Sequence, residues 1–316
     1  MTTVRKVVAA AAVFGLLVLS APAQTTNARI VGTIRDASGA VMPGVSVEVK
    51  SLATNQVRTF RTGETGDYVA PNLPIGAYSV SASIQGFKRA TAPRIDLTID
   101  QTARVDFTLD PGEVTESITV EGGRPLVETE QSAVGKVVEN SVVVQLPLTA
   151  RNFISLGSLV PGTTSGAPGN SVVRDRQEGA ALTANGQRAE NNNFLLDGSD
   201  NTANFIGVVV VVPSIDAIQE FKVQTSNYSA EFGRAAGAIV NIAIRSGSNE
   251  FHGSAYEFLR NDVLDARSFF APQRNPLRRN NFGGALGGRI IRDKTFFFAN
   301  YEGLTERRVG TGGYLV

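Results

Sequence analysis

Val45-Ser46-Val47-Glu48-Val49-Lys50 alternates apolar and polar residues one by one. A period of two puts the three valines on one face of an extended chain, so the segment predicts a half-buried strand. The pattern recurs on both sides. Ile30-Val31-Gly32-Thr33-Ile34-Arg35 precedes it, and Gln56–Phe60, Tyr78-Ser79-Val80-Ser81-Ala82-Ser83 and Arg104-Val105-Asp106-Phe107-Thr108-Leu109 follow. Polar turns, Asp36-Ala37-Ser38-Gly39 and Thr62-Gly63-Glu64-Thr65-Gly66-Asp67, separate the strands. Short strands at this spacing, with glycine and proline in the turns, predict a small all-β sandwich over residues 29–109.

Outward from this block, the N-terminus reads as a targeting segment. Arg5 and Lys6 stand before the apolar run Val7–Leu19, and Ala21-Pro22-Ala23 supplies the small residues of a signal-peptidase site. This layout predicts a cleaved secretory signal over residues 1–23, with the cut between Ala23 and Gln24. The run is shorter than the ~20 residues of a spanning helix, which disfavours the alternative of a membrane anchor. No other helix-forming apolar stretch of spanning length occurs. Cleavage changes the formal net charge from +1 to −1. That balance gives no global drive toward nucleic acid. The 316 residues contain no Cys, no Trp and one His, His252. Disulfides, thiolate nucleophiles and His-rich metal clusters are therefore excluded.

Pro111-Gly112 marks a linker, and a second block runs from about Val114 to Ser248. Glu116-Ser117-Ile118-Thr119-Val120 predicts a short strand. Phe153–Val160 carries apolar residues at helical spacing, led in by Leu146-Pro147 and stopped by Pro161-Gly162. A Gly/Ser/Thr/Pro-rich loop follows to about Ser171. Five consecutive valines, Val208–Val212, suggest a buried strand or, unprotected, an aggregation hazard. In the third block, Phe251–Leu259, Asn281–Gly288 and Thr295–Tyr301 are strand-length segments with aromatic residues. They fit transmembrane β-strands of ~9–11 residues.

Two resemblances rest on these residues. Gly32–Asp36, Met42-Pro43-Gly44-Val45-Ser46-Val47, Thr65-Gly66-Asp67-Tyr68 and Leu73–Tyr78 together resemble the carboxypeptidase regulatory-like domain, a prealbumin-like sandwich that is an accessory module and not a peptidase. The motifs around Asn185–Gly198 and Phe232–Gly247 resemble the plug of TonB-dependent outer-membrane receptors and the signature leading into their first barrel strand. Gly287–Gly303 resembles the family's early barrel strands. The segment from Leu146 to Gly162, with a sandwich in front, is most similar to the Oar-like subgroup. The implied fold is mainly β: a prealbumin-like β-sandwich over 24–112, an α+β plug over 113–248 and the first strands of a transmembrane β-barrel from 249 to 316. Receptors of this class close ~22 strands. Only 68 residues follow Ser248, so the expectation is that the chain is a fragment or a truncated gene, since an open sheet edge is not viable in lipid.

Each candidate chemical site has a simpler alternative. His252 begins a strand, and no G-x-S-x-G elbow accompanies it, so packing is preferred to catalysis. Asp197-Gly198-Ser199-Asp200-Asn201 crowds carboxylates and amides but lacks the calcium-loop spacing. A turn after a buried strand is the better reading. Gly283–Gly288 has no G-K-[ST] after it, which favours glycines in a strand over a phosphate loop. Arg274, Arg278, Arg279 and Arg289 suggest a turn or loop at a membrane surface.

The resemblance implies an exported outer-membrane receptor, its sandwich and plug in the periplasm, that takes up a ligand (carbohydrate, siderophore or peptide). Its implied partners are a TonB-type energy-transducing protein, outer-membrane lipid and assembly machinery, and no nucleic acid. No catalytic residue, cofactor or metal is expected. Glu116, Ser117, Ile118, Thr119 and Val120 resemble the energy-coupling box, with a linker or first plug strand as the equal alternative. A competing class is a soluble periplasmic or surface carbohydrate-binding or adhesion module built on the sandwich. An enzyme is suggested only by the domain's name.

Overall fold

A computed structural model describes residues 28–113, 117–119, 133–139, 142, 151–165, 182–203, 208–229, 232–233, 235–267, 269, 274 and 276–308. The expected signal segment with Ala23 and Gln24, Leu146-Pro147, and Glu116 and Val120 of the expected coupling segment lie outside these residues.

Eight strands build the sandwich: β1 (Ala28–Asp36), β2 (Ser46–Ser51), β3 (Val57–Arg61), β4 (Asp67–Leu73), β5 (Gly76–Ser83), β6 (Arg89–Leu97), β7 (Thr102–Arg104) and β8 (Phe107–Leu109). One sheet runs β4-β1-β7, with β8 also on β1. The other runs β3-β2-β5-β6 and gains β9 (Ser117–Thr119) at its edge. The period-two residues Val45, Val47, Val49, Tyr78, Val80 and Ala82 are buried between the sheets, where they meet Ile30, Ile34, Tyr68, Leu73 and Phe107.

β6 breaks the alternation. Ala90 and Ala92 point into the core, and so do Ile95 and Leu97. A bulge makes the change of parity: Val80 pairs with Ala92 but Tyr78 with Ile95. The extra residue sits at Pro93-Arg94, and Pro93 has no N–H to give the ladder.

The second block forms a sheet in the order β10-β17-β18-β13-β14, from β10 (Val134–Glu139), β13 (Asn193–Leu196), β14 (Ser199–Asp200), β17 (Ile218–Ser226) and β18 (Ile239–Ile244). Among the described residues two small antiparallel strand pairs accompany it: β11 (Thr163–Ser165) with β12 (Leu182–Ala184), and β15 (Thr202–Ala203) with β16 (Val208–Val209). One face of the sheet packs Phe221, Val223, Val240 and Ile242 against Phe153, Ile154 and Leu156. The rings of Phe153 and Phe221 meet edge to face at 5.7 Å.

Phe153–Leu159 is a 3-10 helix, where apolar spacing had suggested an ordinary helix. Asn152 caps it by accepting the Ile154 N–H. A Cβ on Gly157 would come within 2.7 Å of Leu182 Cδ1, so the segment is shaped by packing onto β12. The valine run is not a buried strand. Only Val208–Val209 is extended, Val209 is buried, and Val210, Val211 and Val212 are exposed.

The third block is a three-stranded antiparallel sheet, β19 (His252–Asn261), β20 (Leu277–Ile291) and β21 (Thr295–Arg308). Its strands exceed the apolar segments visible in the sequence. Arg278, Arg279 and Arg289 therefore lie within β20, not in a loop. Arg279 pairs with Glu306 across the sheet at 3.6 Å.

Candidate functional site

The two faces of the β19–β21 sheet differ in chemistry, and that difference defines the candidate site. Register places Ser254, Tyr256 and Phe258 beside Ala285, Gly283 and Asn281, and these beside Asn300, Glu302 and Leu304. On this face Tyr256 Oη donates to Glu302 Oε2 at 2.6 Å, and Asn281 Nδ2 donates to Glu302 Oε1 at 3.1 Å. The opposite face carries Leu259, Phe282, Leu286, Tyr301 and Ile290, all exposed, with Glu257 and Asn280 among them, while Phe258 and Leu304 are the exposed apolar residues of the first face. A soluble monomer rarely leaves so many large apolar groups together in water. One mainly polar face and one mainly apolar, exposed face fit a sheet of a lipid-facing barrel.

The polar face receives the second block. Arg151 forms a buried ion pair with Asp216, the side chains keeping 14% and 10% of their exposure. Its guanidinium lies 4.2 Å from the Tyr256 ring centre and 4.6 Å from that of Phe258. Ser254 Oγ donates to Asp216 Oδ1 at 2.9 Å, and Ser214 Oγ donates to Asn300 Oδ1 at 2.6 Å. Arg151 adopts φ of 50°, a left-handed conformation that costs an L-residue about 1–2 kcal/mol. The ion pair and the two ring faces hold it there.

The covalent crossing between the blocks is equally tight. A Cβ on Gly247 would lie 2.3 Å from Phe297 O and 2.7 Å from Gly288 O. Only glycine lets the chain pass this close to β20 and β21, which explains the residue in the Phe232–Gly247 signature.

Other candidates resolve simply. His252 starts β19, and its Nδ1 lies 3.1 Å from Glu250 O. Asp197 and Gly198, both at positive φ, form the two-residue turn between β13 and β14. Asp197 Oδ1 accepts the Ile244 N–H at 2.9 Å, while burial pushes its carboxyl pKa up. Gly283–Gly288 are strand residues of β20. Among the described residues no group of three His, Asp or Glu side chains is placed to hold a metal ion. Ser117–Thr119, within the segment that resembles the energy-coupling box, runs parallel to β6, with Ile118 opposite Ala90. Sequence reasoning did not find Arg151, Asp216, Tyr256 or Glu302. They stand up to 151 positions apart, and no local signal joins them.

Comparison with known proteins agrees with this geometry. Residues 29–110 match the carboxypeptidase regulatory-like domain, and residues 243–316 match an outer membrane beta barrel domain. The TonB-dependent transporter Oar of Myxococcus xanthus is 29% identical over 305 residues, covering 91% of this chain. The chain is similar to this relative over most of its own length. It spans 27% of that relative's length. Among solved structures, the siderophore receptor PirA of Acinetobacter baumannii is similar over 54% of this chain and 24% of its own, with 21% identity and a TM-score of 0.41. The ferric enterobactin receptor PfeA of Pseudomonas aeruginosa is similar over 52% and 23%, with 18% identity and a TM-score of 0.37. The chain is mainly β, with a sandwich that matches the regulatory-like domain in front and strands that match an outer membrane beta barrel domain behind.

Proposed function

We propose that this chain is the N-terminal part of a TonB-dependent outer-membrane transporter, comprising the sandwich over 24–112, the plug over 113–248 and the start of the barrel from 249. The observation that carries the reading is the two-faced β19–β21 sheet, whose polar side holds Arg151 and Asp216 of the plug while its apolar side is open. The protein works by conformational change and performs no covalent chemistry. Its ligand is scarce and extracellular, a siderophore, oligosaccharide or peptide. A TonB-type partner supplies the work, and lipid and assembly machinery receive the barrel.

Energy coupling is assigned to Glu116–Val120. Such a segment acts by adding an extended strand to the edge of a partner's sheet, so main-chain hydrogen bonds carry the affinity. Ser117–Thr119 already behaves as an added edge strand, on β6. Its hold there is three residues long, which suits a segment that must let go. Ile118→Pro removes a main-chain donor. In the full-length protein it should abolish energy-dependent uptake while leaving assembly and ligand binding intact. Unimpaired uptake would remove this segment as the coupling site, and loss of folding would assign it a structural role.

A further inference from the structure

The sandwich grips both of its neighbours with turns at one end. β2 and β6 are each antiparallel to β5, so Ser51 lies level with Tyr78, and Leu97 with Gly76. The turn after β2 and the turn after β6 therefore project from the same edge of the domain.

The turn after β6 lies on the polar face of the β17–β18 sheet. Glu220, Lys222, Gln224 and Asn241 point away from the hydrophobic core of the second block, yet all four are buried, Lys222 to 3% exposure. Ile99, itself fully buried, donates its N–H to Glu220 Oε1 and accepts from Lys222 Nζ at 3.3 Å. Asn241 Nδ2 donates to Asp100 Oδ2 at 2.8 Å. The turn holds its own shape. Gln101 Oε1 accepts from the Thr98 N–H and hydroxyl, at 2.8 and 3.1 Å. Asp100 sits at φ of 51°. A preformed turn loses little freedom on docking, and burial of charged groups is tolerated only where such partners await them.

The turn after β2 reaches the third block. Asn55 Nδ2 and Asn249 Nδ2 both donate to Asp293 Oδ1 at 2.9 Å, and the Asp293 N–H returns to Asn249 Oδ1 at 3.0 Å. The Asn249 N–H donates to Ala53 O at 2.9 Å. Asp293 lies in the turn between β20 and β21. This contact is exposed and weak alone, and it fixes position more than it binds.

We propose that the sandwich is a clasp that fastens the plug sheet, through Ile99 and Asp100, to the β20–β21 turn, through Ala53 and Asn55. The three blocks are then one body, and the sandwich is not a module trailing on the Pro111-Gly112 linker. The idea needs only the contacts above and does not rest on the protein being a transporter.

These 316 residues lack cysteine, so once any cysteine elsewhere in the full-length protein is replaced by serine, introduced pairs report cleanly. In the full-length protein in its native membrane, Asp100→Cys with Asn241→Cys, and Asn55→Cys with Asp293→Cys, are treated with a short bis-thiol reagent. Each pair should bridge within one molecule, seen as a shifted gel band, while Asn55→Cys with Asn241→Cys should not. A second readout is limited proteolysis of the 98–101 turn, which the plug sheet covers. Lys222→Met combined with Asp100→Asn should speed cleavage about tenfold or more, because loss of charge-assisted hydrogen bonds opens the contact. Normal assembly without bridging in either pair would overturn the clasp, and so would unchanged cleavage in the double variant. Uptake enters neither readout, so a failure of the transport reading would show separately.

Discussion

Replacing Arg151 tests how the second block is held against the barrel strands. The guanidinium neutralises Asp216 in a nearly dry site and covers the faces of Tyr256 and Phe258. Arg151→Ala leaves the Asp216 carboxylate with the Ser254 hydroxyl as the remaining contact shown on this face. Breaking a buried ion pair from one side costs about 3–5 kcal/mol. The residual exposure of both side chains lowers that to about 2–4, and the lost cation–π contacts restore about 1 kcal/mol. The backbone supplies a second, opposite test. At φ of 50°, glycine avoids a strain that alanine keeps, so Arg151→Gly should be milder than Arg151→Ala by about 1 kcal/mol. At an ordinary φ the order would reverse, because glycine loses more freedom on folding. Urea unfolding in lipid vesicles, followed by gel mobility, measures both variants. The reasoning is refuted if Arg151→Ala stays within about 0.5 kcal/mol of wild type, or if glycine is the worse replacement.

Three further outcomes are expected. Gly32→Ala should prevent the sandwich from folding, since its Cβ would lie 1.9 Å from Val105 O and 2.8 Å from Tyr68 Cε1; loss of the cooperative near-ultraviolet tyrosine transition checks this, and a wild-type melt would contradict it. Tyr68→Phe should destabilise the sandwich by about 1–3 kcal/mol, because the buried Val105 carbonyl loses the hydroxyl that donates to it at 2.7 Å. The Thr33 hydroxyl, and after it that of Thr65, holds the Asp67 carboxyl below its ordinary pKa of 3.8, so its contribution is complete above about pH 4 and is lost as pH falls through the lowered value; the sandwich should melt earlier below pH 4, and Asp67→Asn should flatten that acid limb.

What could be read from the sequence followed from local pattern. β2 and β5 alternate with period two because each has one buried face, and both the sandwich and its motifs were visible on that basis. β6 was missed because the bulge at Pro93-Arg94 flips its parity halfway. The third block showed short aromatic segments, yet β20 extends over 15 residues. Its glycines Gly283, Gly284, Gly287 and Gly288 fall on both faces and erase the alternation. Phe153–Leu159 is helical as its spacing suggests, but the spacing does not tell a 3-10 winding from an α one. The Arg151 cluster was hidden for a different reason. Asp216 is 65 residues away, and only the sheet topology brings it, Tyr256 and Glu302 to one place. Likewise, Glu220, Lys222 and Asn241 look like solvated strand residues until the 98–101 turn covers them.

Fractionation of cells expressing the native gene tests most directly whether these strands belong in an outer membrane. The product is predicted to remain in the outer-membrane fraction after a carbonate wash and to migrate on gels in a heat-modifiable form, as a closed β-barrel does. Recovery of the whole product in the periplasmic extract, with no heat-modifiable band, would contradict the transporter reading and favour a soluble module built on the sandwich.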